Sequence, residues 1–173
     1  MADALASRWH LPRWKREGRS RATGGEAPFG PVHLLKPQTF MNHSGQELGS
    51  LRVHEPNQDV PGLLVLVDDF AIPAGTFRLR SHGSSGGHNG LKSVQSSLGT
   101  TFYNRLRVGV GPKPEGVDQA DFVLDNLPRD DRRLVDDLMD RMCEAVECWG
   151  AFGIERAMSE FNRKTSQDTG TES

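Results

Sequence analysis

One carboxylate in this sequence is placed where chemistry is expected. Asp68 follows the apolar run LLVLV, which is typical of a buried strand. Ligands of open α/β sheets bind outside the carboxyl ends of strands, and an unpaired buried carboxylate is costly. Asp68 is therefore suited to hold the imidazole of a histidine, fixing its tautomer and stabilising its charged form. The alternative is a loop aspartate that caps the turn before Pro73.

A second cluster is the glycine loop SSGGHNGLK at Ser84–Lys92. Paired glycines allow close backbone approach, and free N–H groups near a helix start suit an anion. His88 and Asn89 are the polar groups presented there, and we expect Asn89 to cap the helix that follows. The loop has neither a Walker A motif nor the dinucleotide-binding fingerprint. A tight strand-to-helix turn with no ligand explains the spacing equally well.

A third cluster, KPQTFMNHSG at Lys36–Gly45, places an aromatic ring, a thioether and an amide side by side after a predicted strand. Phe40 and Met41 are able to pack on a base or a side chain, and Asn42 can donate or accept a hydrogen bond. The alternative is an ordinary helix start, with Asn42 as the cap and Phe40 and Met41 in the core. Taken alone, the cluster favours that alternative.

The elements that must position these clusters alternate between strand and helix, which indicates an α/β fold. Predicted strands are Val32–Leu35, the run LLVLVDD, Phe77–Arg80 and Asn104–Gly111; predicted helices are Asn42–Val53, one opened by Asn89, Arg129–Trp149 and Ile154–Asn162. The continuously apolar LLVLVDD predicts an inner strand with helices on both sides. Residues 18–31, rich in Gly and small polar residues, predict a loop. Residues 1–164 are expected to form one domain and 165–173 a disordered polar tail.

Charge is unevenly distributed along the chain, although the formal net charge is only −2. Between Arg78 and Lys113 there is no Asp or Glu, which makes this stretch a candidate phosphate-facing surface. On charge alone, a solvated basic strand face is the better interpretation. The two cysteines lack disulfide and metal-ligand patterns and suit a reducing cytoplasm. No run of 18 apolar residues and no secretory signal is present in the sequence.

Taken in order, the clusters resemble the bacterial-type peptidyl-tRNA hydrolases. The residues that carry the resemblance are LLKPQTFMNHSG, LLVLVDDFAIPAGTFRLR, GSSGGHNGLKSV, FYNRLRVGVGPKP and FVLDNLP. The resemblance implies a single α/β domain with a mixed, mostly parallel twisted sheet and helices on both faces. It also implies hydrolysis of the ester between peptide and tRNA, by a cytoplasmic monomer that needs no metal or other cofactor and recycles tRNA for translation.

The resemblance also implies roles for individual residues. Asp68 matches the aspartate that orients the catalytic histidine; Asn42 and Asn89 match the asparagines that place the water and the substrate. Phe40, Met41 and His88 match their neighbours in the substrate cleft. Five basic residues fall where a surface could meet tRNA phosphates: Arg78, Arg80, Lys92, Arg105 and Arg107.

The chain departs from the family pattern at its start. Family members open with a strand, a GLGNPG-type turn and a TRHNVG-like loop that carries the catalytic histidine. Here Asp3–Ala6 matches the end of the helix after that loop, so the first strand and the catalytic histidine are expected to be missing. Either Met1 is an internal methionine of a longer reading frame, or the chain is a true truncation that is inactive and poorly stable. A non-catalytic RNA-binding protein of the same fold, such as a splicing-factor relative, is the alternative function.

Overall fold

The computed structural model describes residues 1–51, 60–112 and 127–162, and of 49–51 the backbone alone. Its strands are β1 Lys15–Glu17, β2 Ser20–Ala27, β3 Gly30–Pro37, β4 Val60–Pro73, β5 Phe77–Arg80 and β6 Tyr103–Gly111. Its α-helices are α1 Ala2–Arg8, α2 Asn89–Leu98, α3 Arg129–Asp137, α4 Met139–Phe152 and α5 Ile154–Phe161, and Met41–Leu51 forms a 3₁₀ helix. In this part of the chain, no helix is long and apolar enough to cross a membrane.

These strands form two three-stranded sheets, in the orders β1-β2-β3 and β4-β6-β5. The first is antiparallel throughout, and in the second β4 runs parallel to β6 while β5 runs antiparallel to it. The α/β class and the mixed pairing are confirmed. The described pairs are nevertheless mostly antiparallel, because short turns join β1 to β2 and β2 to β3, whereas a parallel pair needs a long crossover. The central strand of the second sheet is β6 rather than β4.

Helices cover both faces of the β4-β6-β5 sheet, as predicted. On one face, Leu79 and Leu106 are fully buried with residues of α1, α4 and α5. On the other, Leu91, Val94 and Leu98 of α2 pack against the sheet. The unbroken run in β4 follows from this arrangement: alternate residues join each core, with Leu64 and Leu66 on one side and Leu63, Val65 and Val67 on the other.

The predicted loop over residues 18–31 is wrong, since β2 and β3 pair there as a hairpin. Ala27 pairs with Gly30, which leaves Pro28 and Phe29 as a two-residue turn. Gly24, taken from the sequence as a loop signal, lies in the strand, where a Cβ would stand 2.7 Å from the carbonyl oxygen of Val32. A glycine required by close backbone approach looks the same in sequence as a glycine in a loop.

Each predicted helix corresponds to a helical segment of the structure, but the segments differ from the predictions in number, type or bounds. The predicted helix Arg129–Trp149 is two helices that meet at Leu138, and the second continues through Gly150 to Phe152. Gly153, with φ of 85°, ends it. The predicted helix Asn42–Val53 is a 3₁₀ helix over its described part. The predicted tail at 165–173 lies outside the described residues.

Candidate active site at the end of strand β4

The carboxylate of Asp68 lies against the imidazole of His88. Asp68 Oδ1 is 3.3 Å from His88 Nε2, and both side chains are largely buried. The first comes from the carboxyl end of β4, opposite Val108 of β6, and the second from the residue just before α2. The sequence therefore predicted the right kind of partner for Asp68, an imidazole. That imidazole belongs to His88, whereas the family resemblance implies the histidine of a TRHNVG-like motif.

The glycine loop turns the chain so that His88 points back at β4. Gly86 and Gly87 have φ values of 57° and 86°, a left-handed conformation that other residues rarely adopt. His88 then caps α2, since its Nδ1 accepts a hydrogen bond from the backbone N–H of Leu91 at 3.2 Å. The prediction that Asn89 is the cap is wrong by one residue: Asn89 is the first residue of the helix, and its side chain is exposed.

These two contacts determine the protonation of the pair. The N–H of Leu91 can only donate, so Nδ1 of His88 carries a lone pair and Nε2 carries the proton directed at Asp68. The hydrogen bond from His88 lowers the pKa of Asp68 below its ordinary value, against the opposing effect of burial. Asp68 is thus held ionised. Neither ring nitrogen of His88 is left to accept a proton from water.

A cavity of about 320 Å³ opens beside this pair, and its polar lining includes Asp68, Asp69, Ser85, His88 and Arg107. Asp69 Oδ2 is 2.5 Å from Arg107 Nη2, while its Oδ1 accepts the backbone N–H of Ala71 at 2.9 Å. Asp69 directly follows Asp68 in the sequence, and no role was predicted for it. Among the described residues, no group of three or more His, Cys, Asp or Glu side chains could hold a metal ion.

The predicted basic surface is only partly a surface. Arg105 is 2% exposed, and its guanidinium donates to the carbonyl oxygens of Ser84 at 2.8 Å and Thr101 at 3.1 Å. The prediction that Arg105 faces phosphates is therefore wrong. Its charge is used to hold the glycine loop on β6, and burial lowers its pKa.

The other four basic residues keep more access to solvent. Arg80 and Lys92 are exposed. Arg78 is half-buried and donates to the carbonyl oxygen of Asn162 at 3.2 Å. Arg107 is half-buried at the cavity, in its ion pair with Asp69. The sequence could not separate these environments, because all the arginines alternate with apolar residues in the same way.

The third cluster lies beside the start of α2. Phe40 and Met41 are 84% and 51% exposed, which excludes the alternative that they belong to the core. Met41 Sδ stands 2.7 Å from where a Cβ on Gly90 would lie, so this segment touches the first turn of α2. Asn42 is also exposed. Neither these three residues nor Asn89 is part of the lining of the cavity beside Asp68.

Comparison with known proteins relates the whole arrangement to one family. A family model described as peptidyl-tRNA hydrolase matches residues 1–169. The peptidyl-tRNA hydrolase of Gemmatimonas aurantiaca is 46% identical over 166 residues, covering 94% of this chain and 87% of the relative. That of Gloeobacter violaceus is 39% identical over 168 residues, covering 94% and 82%. A crystal structure of peptidyl-tRNA hydrolase from Acinetobacter baumannii superposes with a TM-score of 0.80 at 26% identity, covering 95% of this chain and 83% of that one.

Proposed function

The chain belongs to the peptidyl-tRNA hydrolase family, and on this premise we propose that it binds peptidyl-tRNA and that its site serves hydrolysis of the ester between peptide and tRNA. In this reaction, a water oxygen attacks the ester carbonyl carbon. The bond from that carbon to the ribose oxygen then breaks, and the ribose oxygen takes up a proton. The products are a free peptide and a tRNA that can be charged again. We place this activity in the cytoplasm, where translation supplies the substrate, and in a monomer.

One observation carries the proposal: the Asp68–His88 pair beside an open cavity at the carboxyl end of a parallel strand. This is where α/β sheets bind their ligands. An ionised carboxylate held by an imidazole can orient a water or a polar substrate group there. Asn42 and Asn89, exposed on either side of the contact between the 3₁₀ helix and α2, are the further groups that we propose to hold the water and the substrate.

His88 is a positioning residue in this proposal. Its nitrogens are both engaged, by Leu91 and by Asp68, so it fixes the carboxylate and does not deprotonate water. The family resemblance implies a histidine of a TRHNVG-like motif as the general base; among the described residues, His88 is the histidine that lines the cavity. General-base assistance is typically worth about 10²–10⁴-fold in rate.

Contacts to the RNA are proposed for the basic residues that the structure leaves accessible. Arg80 and Lys92 are exposed on the side of the sheet that α2 covers, and Arg78 and Arg107 are half-buried nearby. The phosphate backbone supplies much of the affinity in protein–nucleic acid complexes. Phe40 and Met41, exposed beside α2, are proposed to contact the substrate near the reacting end.

The test compares this 173-residue chain with the relative from Gemmatimonas aurantiaca on the same peptidyl-tRNA. Release of free tRNA measures the reaction, and filter binding measures affinity. We expect comparable affinity, with hydrolysis by this chain slower by about 10²–10⁴-fold, because the described histidine that lines the cavity, His88, has both ring nitrogens engaged. Asp68→Asn should reduce the residual rate further and leave tRNA affinity nearly unchanged.

The outcomes separate the parts of the proposal. Hydrolysis at the rate of the relative would show that His88 or another residue of this chain acts as the base. Tight binding with no hydrolysis above background would favour the non-catalytic RNA-binding alternative. Absence of binding to peptidyl-tRNA would refute the proposed substrate.

A further inference from the structure

One face of the β5–β6 ladder carries a row of arginines. Arg78 pairs with Arg107, and Arg80 pairs with Arg105, so the four side chains share one side of the sheet. Leu79 and Leu106 fill the opposite side in the main core. Like charges placed directly across a ladder are unfavourable unless something neutralises them. Asp69 forms an ion pair with Arg107, and a backbone carbonyl oxygen accepts a hydrogen bond from the guanidinium of Arg105. Arg80 lies at the exposed end of the row.

Two aromatic rings lie beyond Arg80 at this end of the row. The rings of His82 and Phe102 stack with centroids 5.5 Å apart and an angle of 25° between their planes. Phe102 is 52% exposed and His82 is also exposed. Both are held in place: Ser81 Oγ lies 3.0 Å from Nδ1 of His82, and the N–H of Phe102 donates to Thr100 Oγ1 at 3.1 Å. The stack is therefore a flat aromatic surface that faces solvent.

The residues around the stack indicate which kind of group binds to it. A flat ring suits any planar apolar group, but the exposed neighbour Arg80 and the absence of Asp and Glu from Arg78 to Lys113 favour a group that also carries negative charge. Nucleotides combine both properties, with a base that stacks and a phosphate beside it. We propose that His82 and Phe102 form a stacking platform for an unpaired base of the bound RNA, with Arg80 contacting the adjacent phosphate. This inference rests on the proposed function, which supplies the RNA.

The platform is separate from the reacting end. Phe102 precedes by six residues Val108, the partner of Asp68 in the β4–β6 ladder. At about 3.3 Å per residue, that places the platform roughly 20 Å from the Asp68–His88 pair along the sheet. The stack therefore anchors the RNA at a distance and does not touch the ester. Its loss should weaken binding without changing the chemistry of the bound substrate.

The test is the affinity of deacylated tRNA for Phe102→Leu, which keeps apolar bulk and removes the ring. Stacking of a base on an aromatic side chain is worth about 5- to 150-fold in affinity, and for an exposed ring we expect roughly five- to tenfold weaker binding. Phe102→Trp should bind at least as well as the wild type. The matched control is Phe152→Leu, another exposed phenylalanine at the end of α4, which should bind as the wild type does.

Salt dependence distinguishes loss of stacking from loss of charge. Phe102→Leu should leave the slope of log affinity against log salt unchanged, whereas Arg80→Gln should lower its magnitude by about one phosphate contact. His82→Ala tests the second ring in the same way. If Phe102→Leu and His82→Ala both bind tRNA as the wild type does, the platform is refuted while the proposed function stands. If the wild type itself does not bind tRNA, the proposed function fails first.

Discussion

His88 serves two partners at once, and this dual use defines what the site can do. Through Nδ1 it caps α2, and through Nε2 it holds Asp68. An imidazole that is engaged on both sides keeps a fixed tautomer and orientation. It thereby converts a carboxylate that burial would tend to protonate into one that stays ionised beside the cavity.

The two roles of His88 can be separated by His88→Asn. Asparagine is a good N-cap residue, so α2 should keep its cap, but the contact with Asp68 is lost. Burial then dominates, and we expect the pKa of Asp68 to rise. A ¹³C carboxyl titration of Asp68 measures this directly, with His33→Asn in the β2–β3 hairpin as the control. An unchanged titration midpoint for Asp68 in His88→Asn would contradict the assigned contact.

Much of this site could be anticipated from residue types, and the rest depended on distances along the fold. Asp68 at a strand end and His88 in a glycine loop were both predicted as polar groups of the cleft. Their contact was not, because 20 residues separate them and the loop conformation at Gly86 and Gly87 brings them together. The burial of Arg105 was likewise invisible, since nothing in the sequence indicates that the backbone carbonyl oxygens of Ser84 and Thr101 accept hydrogen bonds from its guanidinium.

At the scale of elements, the contact between the 3₁₀ helix and α2 places the Phe40–Asn42 segment beside the site. The two elements approach closely at Gly45: its N–H donates to Ser93 Oγ at 3.0 Å, and a Cβ there would stand 2.1 Å from the carbonyl oxygen of Ser93. A glycine is required because two backbones meet. The sequence predicted the segment and its polar residues, but a single glycine in HSG carries no sign of its partner.

Gly45→Ala should force these two elements apart. Overpacking of a tight contact typically costs about 1–3 kcal/mol, and we expect a loss of that size in the free energy of unfolding measured with urea. Hydrolysis of peptidyl-tRNA, and its binding through Phe40–Asn42, should fall as well. The control is Gly62→Ala in β4, where a Cβ meets nothing within 4 Å. Equal stability of the two variants would show that the 3₁₀ helix can move away from α2 at no cost.

At the scale of the whole molecule, α1 at the start of the chain is hydrogen-bonded to α4, more than 130 residues later. Glu147 of α4 accepts a hydrogen bond from the indole N–H of Trp9 at 2.8 Å and from Nε of Arg8 at 2.9 Å. Trp9 itself is buried in the main core and packs edge-on against Phe29 of the hairpin turn. The carboxylate of Glu147 thus joins α1 to α4, and the ring of Trp9 links them to the hairpin. No feature of the sequence indicated this, since the partners are 138 and 139 residues apart.

This link should make stability depend on pH through Glu147. Burial raises the pKa of Glu147, but the hydrogen bonds from Arg8 and Trp9 outweigh it, and the pKa is lowered overall. A carboxyl group whose pKa is lower in the folded state stabilises the protein above its ordinary pKa, near 4.5, and loses that contribution as the pH falls through the folded value.

Glu147→Gln should therefore unfold at a lower temperature than the wild type at pH 7, and the difference should shrink below pH 4. The measurement is thermal unfolding at both pH values, with Glu144→Gln, exposed on the same helix, as the control. If the difference in unfolding temperature between Glu147→Gln and the wild type is the same at pH 7 and in acid, the charge of the carboxylate does not stabilise this contact.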